Sequence, residues 1–262
     1  MTANLVPAPG QTCILVTAPG VTINLNGHTI TGNPTAPGPG IGIDILAAAA
    51  GTHVSGPGTI TAFSTGIVDN ANSALLESLT IRANLGDGVF MSGVDGSILD
   101  SSAMTANGAN GVHLLNTKDC IVKYNTQISG NGTAGPGYGV WIEGTAVGVS
   151  LDNIVAANVF GIVAAPQPEL AGIWVGASAN APLACGVVAP TSTGNIIVAN
   201  QNINLNAVVG IGLECTSGTN NIVTDNHAAA NTAFDLFDGN PACDANSWVA
   251  DVFGTKNQAC VN

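Results

Sequence analysis

The amino-acid sequence predicts an all-β protein, a single-stranded right-handed parallel β-helix of about ten coils with capped ends. A glycine followed by apolar residues recurs at steps of 22, 23, 28 and 22 residues, at Gly66, Gly88, Gly111, Gly139 and Gly161. Asparagines keep the same period between further apolar runs, and stacked amides can hydrogen-bond from coil to coil. Two short strands per unit of about 23 residues are typical of a β-solenoid.

The asparagines fall at fixed offsets from the second apolar run of each unit. Four residues after Ile98, Ile121, Val149, Ile196 and Ile222 lie Ser102, Asn125, Asn153, Asn200 and Asn226. A second set follows five or six residues later, at Asn107, Asn131, Asn158, Asn206 and Asn231. Asparagine and glycine also tolerate the left-handed backbone of tight turns. We therefore expect Asn125, Asn153, Asn200 and Asn226 to line up along one axis.

The chain is expected to form one domain over residues 1–262. Residues 1–32 are predicted to be an N-terminal cap with the first strands, and residues 243–262 a C-terminal cap, because a solenoid must cover its ends. The segment 164–194 interrupts the repeat and contains four prolines. We interpret it as an irregular loop insertion that includes one irregular coil.

The composition excludes several functional classes. Sixteen acidic and four basic side chains give a net charge of -12, which disfavours binding to nucleic acid or to an anionic membrane surface. Hydrophobic residues make up 46% of the chain, which argues against intrinsic disorder. The mean hydropathy is +0.38, but the chain lacks the uninterrupted stretch of about 18 apolar residues that a spanning helix needs.

The six cysteines indicate an oxidising compartment. They are widely scattered and none forms a CxxC pair, so a zinc site is disfavoured. We predict disulfides Cys243–Cys260 and Cys185–Cys215, although six cysteines leave the full connectivity open. Cys13 and Cys120 are expected to be free thiols.

No signal-peptide pattern follows Met1, which we interpret as replacing a removed leader.

The stretch Asn-Leu-Asn-Gly-His-Thr-Ile-Thr-Gly at 24–32, the Asn/Gly/Ile coils and the Cys243 to Cys260 ending resemble a known family. They are similar to bacterial secreted right-handed β-helix proteins of the pectate-lyase-like superfamily, over nearly the whole chain. The resemblance implies the fold and a secreted or extracytoplasmic bacterial location. It leaves the function open, because that superfamily includes polysaccharide lyases, hydrolases, epimerases and adhesins. The usual arginine or lysine base among several aspartates is missing here, since Arg82 has no acidic cluster in its sequence neighbourhood.

Strand alternation predicts a candidate site on the glycine-led strands. The second residue after each glycine should point outward, which places Val68, Phe90, His113 and Trp141 in a row about 5 Å apart. An exposed aromatic row beside carboxylates suits stacking of sugar rings. The predicted ligand-binding residues are Phe90, His113, Trp141, Tyr138, Asp87 and Glu214.

The sequence leaves more than one function open. We expect a secreted or surface-associated protein with a non-catalytic binding or structural role, recognising a glycan or a partner protein on the aromatic row. The alternative is a carbohydrate-active enzyme (a polysaccharide lyase, epimerase or hydrolase) in the same groove, with His113 and Glu143 as the acid–base pair. A purely structural reading, in which the 164–194 loop or another subunit covers the row, is also consistent with the sequence. No cofactor is predicted; the dispersed carboxylates could attract calcium, but no site is assigned. The oligomeric state is left open.

Overall fold

The computed structural model describes residues 1–33, 40–161, 168–177, 191–215, 220–243 and 245–262. The chain winds through short strands, each of which pairs in parallel with its equivalent in the next coil. This is the predicted right-handed parallel β-helix. The parallel sheets run along the helix axis, and the candidate site lies on the first of them.

The first sheet has nine strands among the described residues. All but the first and last begin at or beside a glycine-led motif, so the sequence repeat and the strand repeat coincide in the interior coils. In order, the strands are Ile14–Val16, Ile41–Ile45, Thr65–Asp69, Val89–Ser92, Val112–Leu115, Tyr138–Glu143, Ala171–Val175, Val209–Leu213 and Phe234–Asp238.

The second sheet also has nine described strands and carries the second apolar runs. They are Thr22–Asn24, His53–Ser55, Leu75–Glu77, Ile98–Asp100, Ile121–Lys123, Ile154–Ala156, Ile196–Val198, Ile222–Thr224 and Ser247–Val249. A third sheet of five strands comprises Thr29–Thr31, Thr59–Thr61, Thr80–Arg82, Ala103–Thr105 and Gln127–Ser129. Two further pairs join Ser150–Leu151 to Ser192–Thr193 and Ile203–Asn204 to Ala228–Ala229, and Pro241–Cys243 forms a 3-10 turn.

The core is a stack of inward-pointing side chains at equivalent positions of successive coils. Because side chains alternate across a strand, one residue in two points into the coil. The first sheet supplies a fully buried aliphatic file made of Ile43, Ile67, Val89, Val112, Val140, Ile173, Ile211 and Leu236.

The repeated glycine is required by close backbone approach. A Cβ atom on Gly111 would lie 2.7 Å from the carbonyl oxygen of Gly139 and 2.9 Å from Nδ2 of Asn131. Gly88 is crowded in the same way by the carbonyl oxygen of Gly111, at 2.6 Å. A side chain does not fit where one of these coils packs against the next, which explains why glycine recurs in the interior units.

Buried asparagines form hydrogen-bonded files parallel to the axis, in which each amide donates to Oδ1 of the next. The expected file of Asn125, Asn153, Asn200 and Asn226 is wrong at one position, because Asn158 stands between Asn125 and Asn200. The strand register pairs Ile121 with Ile154 and not with Val149, and the residue four positions after Ile154 is Asn158. Asn153 belongs instead to a parallel file with Asn195, Asn221 and Asn246.

Each file ends on a carboxylate. Asn226 donates to Asp251, Asn131 to Glu169, Asn231 to Asp235 and Asn246 to Asp238. A carboxylate accepts hydrogen bonds without donating any, so it closes a file that runs in one direction.

Part of the segment expected to be an irregular insertion is regular. Within residues 164–194, the strand Ala171–Val175 lies in the first sheet, and Ser192–Thr193 pairs with Ser150–Leu151. Residues 164–167 and 178–190 lie outside the described residues.

The C-terminal disulfide is confirmed, with an S–S distance of 2.17 Å between Cys243 and Cys260. Cys215 is disulfide-bonded, and its predicted partner, Cys185, lies outside the described residues. The free cysteines in the described part of the chain are Cys13, which is partly buried, and Cys120, which is buried. No described helix has the length and apolar character needed to cross a membrane.

Candidate functional site

The outward positions of the first sheet form the predicted row. Val68, Phe90, His113 and Trp141 occupy one register line on consecutive strands. The same line continues to Trp174, then to Gly212 and Phe237. Strand alternation therefore places the candidate residues side by side, as the sequence predicts.

The rings of the row contact one another. The imidazole of His113 lies 4.3 Å from the indole of Trp141, with the two planes only 7° apart, and 5.1 Å from the tilted ring of Phe90. Tyr138 tilts against Trp141 at 5.4 Å. His113 is therefore held between two aromatic side chains.

The expectation that the row is exposed is wrong for His113 and Trp141, and their neighbour Tyr138 is also buried. His113 and Trp141 are each 8% exposed, and Tyr138 is 1% exposed. The rings cover one another, and Trp141 also donates its indole N–H to the backbone oxygen of Gly176 at 2.8 Å. Tyr138 and Trp141 belong to a second hydrophobic cluster, outside the coil, together with Trp174 and Phe237. The partly buried side chains packed against this cluster are Leu170, Val208 and Phe234. Phe90 stays half-buried, so the row opens to solvent near Phe90.

Two carboxylates hold the imidazole of His113 in place. Nε2 lies 2.8 Å from Oε2 of Glu143, and Nδ1 lies 3.5 Å from Oδ2 of Asp87. Asp87 is itself positioned, because its Oδ1 accepts hydrogen bonds from the backbone N–H and Nδ2 of Asn110 at 2.9 and 2.8 Å. We call Asp87, His113 and Glu143 the histidine clamp.

The clamp favours the protonated imidazole. Burial lowers the pKa of His113, but the hydrogen bonds and charges of Asp87 and Glu143 outweigh burial, so the pKa lies above its ordinary value of 6.5. The three side chains are 11%, 16% and 17% exposed in the order His113, Asp87, Glu143, so a ligand can still reach them.

Tyr138 and Glu214 lie deeper than the sequence suggests. Glu214 is 2% exposed, and a Cβ atom on Gly176 would lie 2.3 Å from its Oε2. Burial, followed by the charges of Glu214 and Glu143, raises the pKa of Tyr138, so its hydroxyl keeps its proton. These two residues are buried and do not line an open surface.

Sequence reasoning missed two residues of this face, Asn110 and Trp174. The signal for Trp174 was present, because Gly172-Ile173-Trp174 repeats the pattern of Gly139-Val140-Trp141. The glycine-led motif predicted at Gly161 does not start a described strand of the first sheet. Gly161 has a φ of 62° and precedes residues outside the described ranges. Asn110 carries no local signal, since its role depends on Asp87 of the preceding coil.

All four lysine and arginine side chains lie away from the clamp. Arg82 is exposed at the end of its strand in the third sheet. Lys123 pairs with Asp100 on the second sheet at 3.4 Å. Lys118 pairs with the adjacent Asp119, and Lys256 donates to the carbonyl oxygen of Val261 near the C-terminus. Across the described ranges, no group of three or more His, Cys, Asp or Glu side chains is arranged to hold a metal ion.

The comparisons with known proteins agree with the fold. The family described as the right-handed β-helix region matches residues 59–180. Among solved structures, the mannuronan C-5 epimerase AlgE6 A-module of Azotobacter vinelandii aligns with a TM-score of 0.59 and 14% identity, over 88% of this chain and 59% of that module. An alginate lyase from Paenibacillus sp. str. FPU-7 aligns with a TM-score of 0.54 and 13% identity, over 100% of both chains. The Dettilon tailspike protein gives a TM-score of 0.52 and 12% identity, over 97% of this chain and 60% of that protein. No curated protein sequence matches the chain.

The strand topology, the family match and these neighbours define the class. The chain has the right-handed parallel β-helix fold. At 12–14% identity, the solved structures establish the fold alone.

Proposed function

We propose that the chain is an extracytoplasmic β-helix protein that recognises a glycan at the histidine clamp, next to the ring of Phe90. The observation that carries the proposal is the clamp itself. Its polar groups are fixed by mutual hydrogen bonds, partly accessible, and adjacent to a half-buried aromatic ring. Sugar sites combine a ring face for the apolar side of the pyranose with a few oriented polar groups for its hydroxyls.

Two further facts support the proposal. The solved neighbours include an alginate lyase and a mannuronan epimerase, so this fold hosts recognition of polysaccharides elsewhere. The disulfide between Cys243 and Cys260 suits an oxidising, extracytoplasmic compartment.

A glycan array followed by calorimetry tests the proposal. Phe90→Ala should weaken binding of the selected glycan about tenfold, because it removes the ring face, equivalent to about 1.4 kcal/mol. The matched control is Tyr124→Ala, which removes an aromatic side chain that is 59% exposed beside the second sheet. Equal losses in the two variants, or no binding by the wild type, would reject the proposal.

A second candidate function is carbohydrate-active catalysis at the same place. The contact of 2.8 Å between His113 and Glu143, together with the raised pKa of His113, gives a proton donor with a fixed orientation. The assay is release of reducing ends or unsaturated products from polysaccharides. Release by the wild type that both His113→Ala and Glu143→Gln abolish, with glycan binding retained in one of them, would favour catalysis over binding alone.

A further inference from the structure

The outward face of the first sheet is negatively charged. Asp87 and Glu143 provide two carboxylates against the single imidazole of the clamp. Asp44 adds another, because it lies on the register line of Val68, two strands before Phe90. None of the four lysine and arginine side chains of the chain reaches this face, as their positions show.

This arrangement disfavours an anionic ligand. The only cationic group that could meet a ligand carboxylate is His113, and both of its ring nitrogens already face carboxylates. With a net charge of -12, the whole chain also repels a polyanion at long range. The carboxylates of a uronate chain would therefore lose their hydration at this site without gaining an ion pair.

A protonated amine fits the same groups. Glu143 uses Oε2 for His113, and in the described part of the chain its Oε1 has no hydrogen-bond partner. An ammonium group has three donors and no acceptor, so it matches carboxylate oxygens, and such charge-assisted bonds are about twice as strong as neutral ones. The ring of Phe90, beside His113, adds a face that attracts a cation.

We infer that the ligand of the histidine clamp is a glycan that carries free amino groups and no carboxylates. The inference rests on the proposed function, since it specifies the chemistry of the glycan recognised there. It also separates this chain from the alginate lyase whose fold it shares.

The test is calorimetric titration with three tetrasaccharides of matched length: β-1,4-linked glucosamine, its fully N-acetylated equivalent, and oligogalacturonate. At about pH 6 the free amines are protonated. The amino tetrasaccharide should bind at least about tenfold more tightly than the N-acetylated one, as one charge-assisted hydrogen bond implies, and the galacturonate should not bind.

Site variants distinguish recognition from general attraction to an acidic protein. Glu143→Gln should weaken binding of the amino tetrasaccharide about tenfold. Glu77→Gln is the matched control, because it removes the same charge from another histidine–glutamate pair, the 2.7 Å contact with His53 on the second sheet. This control should leave the dissociation constant within about twofold.

The outcomes separate the two claims. Binding of the N-acetylated ligand with equal or higher affinity, or binding of galacturonate, overturns the inference and leaves glycan recognition standing. Equal weakening by Glu77→Gln and Glu143→Gln also overturns it, because binding would then follow total charge. If none of the three ligands binds and the array is also negative, the proposed function fails together with the inference.

Discussion

Glu169 should make the protein more stable in mild acid than at neutral pH. This side chain is 2% exposed and closes an amide file, accepting the backbone N–H and Nδ2 of Asn131 on one oxygen at 2.9 and 3.1 Å. Burial raises the pKa of Glu169 to about 7 from its ordinary value of 4.5, and the hydrogen bonds from Asn131 oppose the shift only in part.

The sign and size of the effect follow from proton linkage. Between pH 4.5 and about 7, the folded state keeps a proton that the unfolded state releases, so the free energy of unfolding falls as the pH rises through this window. The difference between 4.5 and about 7 corresponds to about 3 kcal/mol of unfolding free energy, which is lost once the pH exceeds the folded-state pKa.

The test variant is Glu169→Gln, which keeps an acceptor oxygen for Asn131 and cannot ionise. Urea denaturation at pH 4.5 and pH 8 should give nearly equal stabilities for wild type and variant in acid. At pH 8 the variant should be more stable by about 3 kcal/mol. Asp69 and Asp251, whose pKa values burial raises to about 6, contribute equally to both proteins and cancel in the difference. If the difference in unfolding free energy between wild type and Glu169→Gln did not change with pH, the reasoning would be refuted. Glu77→Gln is the control variant for a partly exposed glutamate.

Three further substitutions test the architecture. Asn158→Ala should cost about 3 kcal/mol in denaturant titrations, because it leaves buried donors of the adjacent coil unpaired, whereas the exposed Asn262→Ala should be neutral. Gly111→Ala should lower the melting temperature by the equivalent of about 2 kcal/mol, since its Cβ would meet a carbonyl oxygen at 2.7 Å; Gly135→Ala, with nothing within 4 Å, is the control. Cys260→Ser should destabilise by about 3 kcal/mol, as expected for opening a disulfide that spans 17 residues, and a reducing agent, which also opens the disulfide of Cys215, should destabilise the wild type by at least this amount.

Features that repeat locally could be predicted from the sequence. Alternation along a strand has a period of two, so counting from each glycine was enough to place Phe90, His113 and Trp141 in one line. The contact between His113 and Glu143 followed from the same count, because the two residues lie on adjacent strands, two positions apart.

Features that depend on turn length or on packing between coils could not be predicted. The segment between Glu143 and Ile154 is longer than the corresponding segments of the preceding coils. As a result, Asn158 and not Asn153 joins the file of Asn125 and Asn200, although the spacing from Val149 looks regular. The burial of Trp141 was missed for a different reason. Hydrophobic periodicity tells which way a side chain points, but it does not tell whether a second layer covers it.

The amide files also give the solenoid a direction that limits how it can grow. Within a file, each amide donates one hydrogen to the next coil toward the carboxyl end and the other to a backbone oxygen of the preceding coil. Three of the files finish at Asp235, Asp238 and Asp251, which accept these hydrogen bonds and donate none in return. A further coil stacked on these acids would meet acceptors and no donors, so the files could not be prolonged beyond them. A protein engineer who wants a longer rod should therefore duplicate an interior unit such as the one carrying Asn107 and Asn125, upstream of the terminal acids, where donors and acceptors still match.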